Sequence, residues 1–157
     1  MAYRLNTMGG TYLLPDFGPA EAAVPSLVGN MLHIAKFGMY VVVGGMEKTV
    51  YVRCESIGAE PPLGDEWEDV MEVSVVPLEY PVGLPESEDG KVFKPSGALA
   101  ADPEVHNWRL RINSTGRQSG YDRVPRAREE FLLQTWPALP SPPAVLRKTS
   151  TFTYPLG

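Results

Sequence analysis

Cysteine and long apolar runs are nearly missing from this sequence. Cys54 is its only cysteine, so an intramolecular disulfide is impossible and a thiolate zinc site would lack its ligands. A lone thiol favours a reducing compartment. No stretch approaches the roughly 18 apolar residues of a membrane-spanning helix, and the first residues lack the apolar run of a secretion signal. We therefore expect a soluble, cytoplasmic protein.

Motifs that mark common catalytic and cofactor sites are also missing. The chain has no glycine-rich phosphate loop, no HExxH zinc motif and no nucleophile elbow. Its two histidines, His33 and His106, are far apart, and neither has a second imidazole at a ligand spacing. Cys54 shares its predicted strand face with valines and has no basic neighbour there, so we expect a buried, inert thiol. We predict no catalytic residues, no cofactor and no metal.

Proline and glycine, by contrast, are abundant, with 16 prolines and 15 glycines in 157 residues. A hydrophobic content of 43% is enough for one continuous core. Alternating apolar and β-branched residues predict short strands. These are Thr11–Leu14, Met31–Ala35, Met39–Val43, Thr49–Glu55, Val70–Val76, Trp108–Thr115, Phe131–Trp136 and Thr149–Tyr154. The expected fold is all-β, a single domain over residues 1–157 built as a two-sheet antiparallel β-sandwich of about eight strands.

The connections between these strands carry further predictions. The segment Gly44–Lys48 has the length and glycine content of a hairpin connection, so Met39–Val43 and Thr49–Glu55 are predicted to pair. Pro77–Gly97 is expected to form a long loop. Ala138–Gly157 is expected to be an extended C-terminal segment, because the prolines of ALPSPPAV cannot donate ladder hydrogen bonds.

Charge is distributed unevenly along the chain. Residues 1–90 hold four Lys/Arg and 14 Asp/Glu, a balance of −10, whereas residues 91–157 hold ten and five, a balance of +5. The two parts either pack together and partly neutralise each other, or they give a polarised surface that steers a charged partner.

The stretch EWEDVMEVSV, Glu66 to Val75, concentrates the acidic side chains. Alternation predicts that Met71, Val73 and Val75 face the core, and the same register turns Trp67 and Asp69 inward. Glu66, Glu68 and Glu72 then form a solvated outer row, and Asp69 needs a partner if it is buried.

The stretch WRLRINSTGR, Trp108 to Arg117, has the complementary pattern. Trp108, Leu110 and Ile112 are predicted to face inward, with Arg109 and Arg111 on the outer face. If this strand pairs with the one that carries Glu72, arginine and glutamate lie opposite each other. Such exposed pairs contribute under about 1 kcal/mol each.

Three other chemistries are open to the residues. Arg117, Arg123, Arg126 and Arg128 around Tyr121 suit nucleic-acid binding, although the overall acidity opposes it. Carboxylates among Asp65, Glu66, Glu68, Asp69 and Glu72 could supply a hydrolase pair. Asp65, Glu68 and Asp69 could bind calcium, but their spacing is not that of an EF-hand loop.

Three segments, WEDVMEVSV, WRLRINSTGR and EEFLLQTWPALP, together resemble an uncharacterised group of small actinobacterial β-proteins. More distantly the chain is similar to the competence protein J family, which consists of small β-sandwiches and includes an inhibitor of a DNA-entry nuclease. The resemblance covers roughly residues 35–140, and its motifs look like framework. It implies a binding module without catalytic residues.

These observations lead to one functional prediction. We expect a non-catalytic protein-binding module, an immunity-like inhibitor that occludes a partner such as a nuclease or toxin. Electrostatic recognition is assigned to Asp65, Glu66, Glu68 and Glu72, with Arg117, Tyr121 and Arg123 as a second surface. The alternatives are a structural subunit that forms a homo-oligomer or particle through its proline-rich arms, and a carboxylate-dependent hydrolase.

Overall fold

The computed structural model describes residues 2–7, 10–21, 24–35, 38–45, 49–85, 92–93 and 98–153. Within these ranges the chain is all-β apart from one short helix. The strands are β1 (Ala2–Asn6), β2 (Thr11–Leu14), β3 (Phe17–Pro19), β4 (Leu27–Val28), β5 (Leu32–Ala35), β6 (Gly38–Val42), β7 (Thr49–Ser56), β8 (Asp69–Pro77), β9 (Leu84–Pro85), β10 (Val92–Phe93), β11 (Trp108–Thr115), β12 (Glu130–Pro137) and β13 (Ala144–Lys148). The helix α1 spans Arg117–Tyr121. No helix in this described part has the length and apolar content to cross a membrane.

The larger of two main sheets has seven strands. Six follow the order β1-β7-β12-β11-β8-β13. The seventh, β3, pairs with the end of β8 at Val75–Pro77, beyond the part that pairs with β13. All neighbours are antiparallel except β12 and β7, which run parallel. The Arg-bearing strand β11 does pair with the Glu-bearing strand β8, and the arrangement expected for that case is present, with Arg111 opposite Glu72 and Leu110 opposite Val73.

The smaller sheet has the order β2-β6-β5-β4 and is antiparallel throughout. One hydrophobic cluster contains side chains of both sheets, among them Leu32 and Val41 from the smaller sheet and Val73 and Leu110 from the larger. The predicted core face of β8 is therefore confirmed, because Met71, Val73 and Val75 all belong to this cluster.

The outer face of the larger sheet is not solvated as predicted. Glu72, Arg109 and Arg111 are buried, and Arg111 is only 2% exposed. Two irregular segments cover this face, residues 57–68 and 138–143, and they accept hydrogen bonds from its arginines. Trp67 packs with Val70 and Leu132 on this same face, so its predicted inward orientation is wrong. The alternation does not reach it because β8 begins only at Asp69.

The predicted hairpin is also wrong. β6 pairs with β2 and β5 in the smaller sheet, whereas β7 pairs with β1 and β12 in the larger one, so the connection after Val42 changes sheets. The connection after β6 passes through Gly44 and Gly45, whose N–H groups donate to the buried carboxylate of Glu129 and not to a neighbouring strand.

The last strand lies earlier than predicted. β13 is Ala144–Lys148, inside the expected extended segment, and residues 149–153 form no strand. Tyr154 lies outside the described residues. Within the predicted loop Pro77–Gly97, β9 and β10 pair with each other, and residues 86–91 and 94–97 lie outside the described part.

Candidate functional site

The exposed acidic residues of the site occupy a turn that precedes β8. Asp65 and Glu66 form the turn and are exposed, whereas Trp67 beside them is 6% exposed. Arg147 of β13 donates from Nη1 to the carbonyl oxygens of Gly64 at 2.9 Å and Trp67 at 2.6 Å. One guanidinium group therefore fixes the backbone on both sides of the two carboxylates. We name residues 64–68 the acidic turn.

The segment that leads into the acidic turn is fixed in the same way. Arg111 Nη1 donates to the carbonyl oxygen of Pro61 at 2.9 Å, and Arg111 Nη2 pairs with Glu60 at 3.4 Å. Prolines have no N–H to offer a sheet, but their carbonyls accept hydrogen bonds. Arg111 and Arg147 were not predicted as anchors. The signal in the sequence was the pair Pro61-Pro62, whose carbonyls need donors from elsewhere, together with a strand that carries two arginines.

Glu68 is exposed but has internal partners. Its Oε1 accepts hydrogen bonds from Thr115 Oγ1 at 2.5 Å and from the Gly116 N–H at 2.7 Å. Gly116 has φ +85°, and a Cβ atom there would lie 2.1 Å from the Arg128 carbonyl oxygen, so this position requires glycine. Glu68 thus stabilises the turn from β11 into α1 in addition to adding charge to the acidic turn.

Glu72 is buried and is not part of the acidic surface, so its predicted solvated position is wrong. It is 6% exposed. One carboxylate oxygen accepts from Arg109 Nε at 3.0 Å and the other from Arg111 Nε at 2.8 Å. A carboxylate between two buried guanidinium groups is a structural element, because removing either charge leaves the other without its partner in a medium of low dielectric.

Arg117 is buried as well, so it does not lie on an accessible second surface as predicted. It is 1% exposed. Its guanidinium group donates to Asp69 Oδ2 at 2.7 Å, to the Val42 carbonyl at 3.1 Å and to the Asn30 carbonyl. The prediction that a buried Asp69 needs a partner is confirmed. Arg117 thus links the larger sheet, which contains Asp69, to the smaller sheet, which contains Val42.

The pKa of Asp69 is lowered from its ordinary value of 3.8. Burial raises this pKa, but the hydrogen bonds from Ser150 and Thr149 and the charge of Arg117 lower it by more. A carboxyl with a lowered folded-state pKa stabilises the fold above its unfolded pKa, and this stability is lost as the pH falls through the folded value.

We therefore expect the free energy of unfolding to fall as the pH is lowered below about 4. Asp69→Asn is expected to be less stable at pH 7 and to show a flatter dependence over the same acid range, because it has no charge to lose. Urea unfolding at a series of pH values from neutral to acid measures both curves. Asp65→Asn, which alters an exposed carboxylate, is the control and is expected to follow the unmodified protein. Parallel curves for Asp69→Asn and the unmodified protein would contradict the assignment.

Glu129 forms a second buried carboxylate site that sequence reasoning missed. Its Oε2 accepts from the Gly44 N–H at 3.0 Å and its Oε1 from the Gly45 N–H at 2.7 Å. A Cβ atom on Gly44 would lie 1.7 Å from the Arg117 carbonyl oxygen, which explains a glycine at that point. The pair Gly44-Gly45, taken as a hairpin signal, instead permits this close approach of two backbones.

The remaining two predicted binding residues lie near one another on the surface. Tyr121 is 51% exposed and stacks on Phe152 with ring centroids 4.8 Å apart. Arg123 is exposed and lines a surface cleft of about 540 Å³ together with Arg126 and Arg128. Of the predicted second surface, Tyr121 and Arg123 are thus accessible and Arg117 is not.

Cys54 lies in β7 at the margin of the main core cluster. Burial raises the pKa of its thiol to about 12. A thiol with that pKa is protonated at neutral pH and is a poor nucleophile. This agrees with the prediction of an inert thiol.

The carboxylates that were open to a metal site or a hydrolase pair can be located in the described part of the chain. In the described part of the chain, no three His, Cys, Asp or Glu side chains are grouped so that they could hold a metal ion. Of the residues proposed for calcium, Asp69 bonds to Arg117, and Glu68 bonds to Thr115 and Gly116. A second cleft, of about 370 Å³, is lined by apolar residues such as Phe17 and Leu78. Neither cleft has a carboxylate among its lining residues.

Comparison with protein-family models, with curated proteins and with solved structures finds no match for this chain. The resemblance to the actinobacterial group and to the competence protein J family therefore stays a prediction.

Proposed function

We propose that this protein is a non-catalytic protein-binding module that recognises a basic partner through its acidic turn. The observation that carries the proposal is the way this turn is held. Arg147 fixes the carbonyls of Gly64 and Trp67, and Arg111 fixes the carbonyl of Pro61, while Asp65 and Glu66 remain exposed. These three contacts go to backbone carbonyls, so the carboxylates of Asp65 and Glu66 stay available to a partner.

A turn that is already ordered favours binding because it loses little conformational freedom in the complex. Asp65 and Glu66 form no ion pair with any residue in the described ranges, so binding breaks no internal pair. Charges at the rim of an interface raise the association rate and select the partner, whereas buried apolar contacts supply most of the affinity. Leu63, directly before the acidic turn, is 37% exposed, so apolar surface adjoins the charges.

The partner that fits is a protein with a basic surface, such as a nuclease or toxin whose own ligand is a polyanion. Covering that surface would block access of the polyanion, and the module would then act as an immunity-like inhibitor by occlusion. We also propose a cytoplasmic location, which the single cysteine favours. The sandwich arrangement of the two sheets belongs to the same proposal and is supported by the core cluster that they share.

The structural alternative, a homo-oligomer tethered by proline-rich arms, has less support. Residues 138–143 lie against their own sheet, where Arg109 donates to the carbonyls of Ser141 and Pro142, each at 2.9 Å. An arm held this way in its own subunit is not free to reach a neighbour.

Charge reversal in the acidic turn tests the proposal. Asp65→Lys with Glu66→Lys is expected to leave the urea midpoint nearly unchanged, because exposed side chains contribute little to stability. It is expected to abolish the low-salt capture of a basic partner from a lysate of the source cell. The captured protein is identified, and its binding is measured with purified components as a function of salt.

The matched control is Glu21→Lys with Glu104→Lys, which changes the net charge equally at positions away from the acidic turn. It is expected to retain capture. If both double variants lost capture equally, the net charge of the protein, and not the acidic turn, would explain the loss. Capture that survives reversal of the acidic turn at every salt concentration would refute the proposal.

A further inference from the structure

The cleft of about 540 Å³ next to β7 has a composition unlike the rest of this acidic protein. Its volume lies in the range of roughly 300–1,000 Å³ that small-molecule sites occupy. The loop that follows α1 forms one wall and β7 forms the other. The lining residues are Thr49, Tyr51, Arg123, Val124, Pro125, Arg126, Ala127 and Arg128.

The charge of the cleft is one-sided. Arg123 and Arg126 are exposed and pair with no carboxylate in the described part of the chain, and Arg128 pairs with Glu130 at 3.0 Å. Arg4 is also exposed and lies directly opposite Tyr51 in the β1–β7 register, on the same face of the sheet. Three arginines thus line the cleft together with Tyr51, in a protein whose net charge is −5. The strands on either side of Tyr51 place Arg4 and Glu130 directly opposite it.

Tyr51 and Arg128 form a two-layer platform within the cleft, with the guanidinium group lying over the phenol ring. The guanidinium carbon of Arg128 lies 3.8 Å from the centroid of the Tyr51 ring, which is a stacked cation–π contact. Planar guanidinium and phenol groups are the surfaces on which nucleic-acid bases stack, and guanidinium forks match the oxygens of a phosphate group.

Two arginines of the loop have a backbone conformation that residues other than glycine rarely adopt. Arg123 has φ +57° and Arg126 has φ +63°, both in the left-handed region. Both are among the residues that line the cleft. Backbone strain of this kind is concentrated at ligand sites and is retained where surrounding contacts enforce it. Here the Val124 N–H donates to the carbonyl oxygen of Ser119 in α1, and the Ala127 N–H donates to the carbonyl oxygen of Val124 in the loop itself.

We propose that this cleft binds a nucleotide, either free or within single-stranded nucleic acid. Arg123 and Arg126 contact the phosphate, and the base stacks on the platform of Tyr51 and Arg128. This site is separate from the acidic turn, so it does not depend on the function proposed above.

Fluorescence anisotropy with a short labelled oligothymidylate at low salt tests the site, with AMP, adenosine and inorganic phosphate as unlabelled competitors. Arg123→Gln with Arg126→Gln is expected to weaken oligonucleotide binding about tenfold or more, because phosphate contacts dominate such affinities. Tyr51→Leu is expected to weaken binding of the oligonucleotide and AMP about tenfold through lost stacking, and to leave competition by inorganic phosphate unchanged. AMP is expected to compete better than adenosine or phosphate alone.

The charge-matched control is Arg53→Gln with Lys148→Gln, two exposed residues that do not line the cleft. Competition by AMP identifies a free nucleotide as a sufficient ligand, and binding of the oligonucleotide without competition by AMP identifies the polymer. The proposal is overturned if the oligonucleotide does not bind, if the control double variant loses as much affinity as the cleft variant, or if phosphate competes and does so as well as AMP.

Discussion

Arg117→Met is expected to lower the free energy of unfolding by about 3–5 kcal/mol, the usual effect of breaking a buried ion pair on one side. The substitution leaves the buried Asp69 carboxylate without its countercharge and removes the donors to the carbonyls of Val42 and Asn30. Because Asp69 belongs to the larger sheet and Val42 to the smaller one, the loss acts on the contact between the two sheets. Urea unfolding followed by tryptophan fluorescence measures the change.

Arg128→Met is the matched control for this experiment. Arg128 also pairs with a carboxylate, but its side chain is 57% exposed, so the expected loss is under about 1 kcal/mol. Arg117→Met combined with Asp69→Leu is expected to recover part of the stability lost in Arg117→Met, because no unpaired charge then remains. Similar destabilisation by Arg117→Met and Arg128→Met would contradict the buried pair.

Glu72→Ala is expected to destabilise the protein by a similar amount, about 3–5 kcal/mol. Two buried guanidinium groups, of Arg109 and Arg111, lose the carboxylate that lies between them. The same arginines hold the carbonyls of Pro61 and Pro142, so disorder in the covering segments is expected to accompany the loss. Chemical denaturation gives the stability, and limited proteolysis reports the release of the covering segments.

Glu66→Ala is the control, since Glu66 is an exposed glutamate only six residues away, and it is expected to change stability by under about 0.5 kcal/mol. Glu72→Gln keeps the shape and one acceptor oxygen, so an intermediate loss is expected. If Glu72→Ala were as mild as Glu66→Ala, the outer face of the larger sheet would be solvated after all.

Local alternation predicted most of the strands that lie in the core. β8 and β11 show this best, because each has a hydrophobic residue at every second position along most of its length. The hairpin between β6 and β7 was predicted wrongly because loop length and glycine content do not reveal which sheet the next strand joins. β13 was missed because its neighbouring prolines argue against a strand, although β13 itself begins after them.

The candidate site was predictable only for its exposed residues. Glu66 and Glu72 look alike in the sequence, and what separates them is the cover over Glu72, formed by residues 57–68 and 138–143 as they fold back onto the sheet. Arg117 and Arg123 belong to one basic stretch, yet Arg117 turns inward directly after Gly116 whereas Arg123 lies on the surface. Burial of this kind depends on tertiary contacts, which no local pattern encodes.

The parallel pairing of β7 with β12 has a consequence for synthesis on the ribosome. β1 and β7 are made early, but they join the rest of their sheet only through β12, which is complete at Pro137. Until then one edge of β7 has no neighbour from its own chain, and an unpaired strand edge invites association with other chains. The nascent protein should therefore be most prone to aggregate before β12 has been made, and truncation before Glu130 should leave the early strands dependent on chaperones.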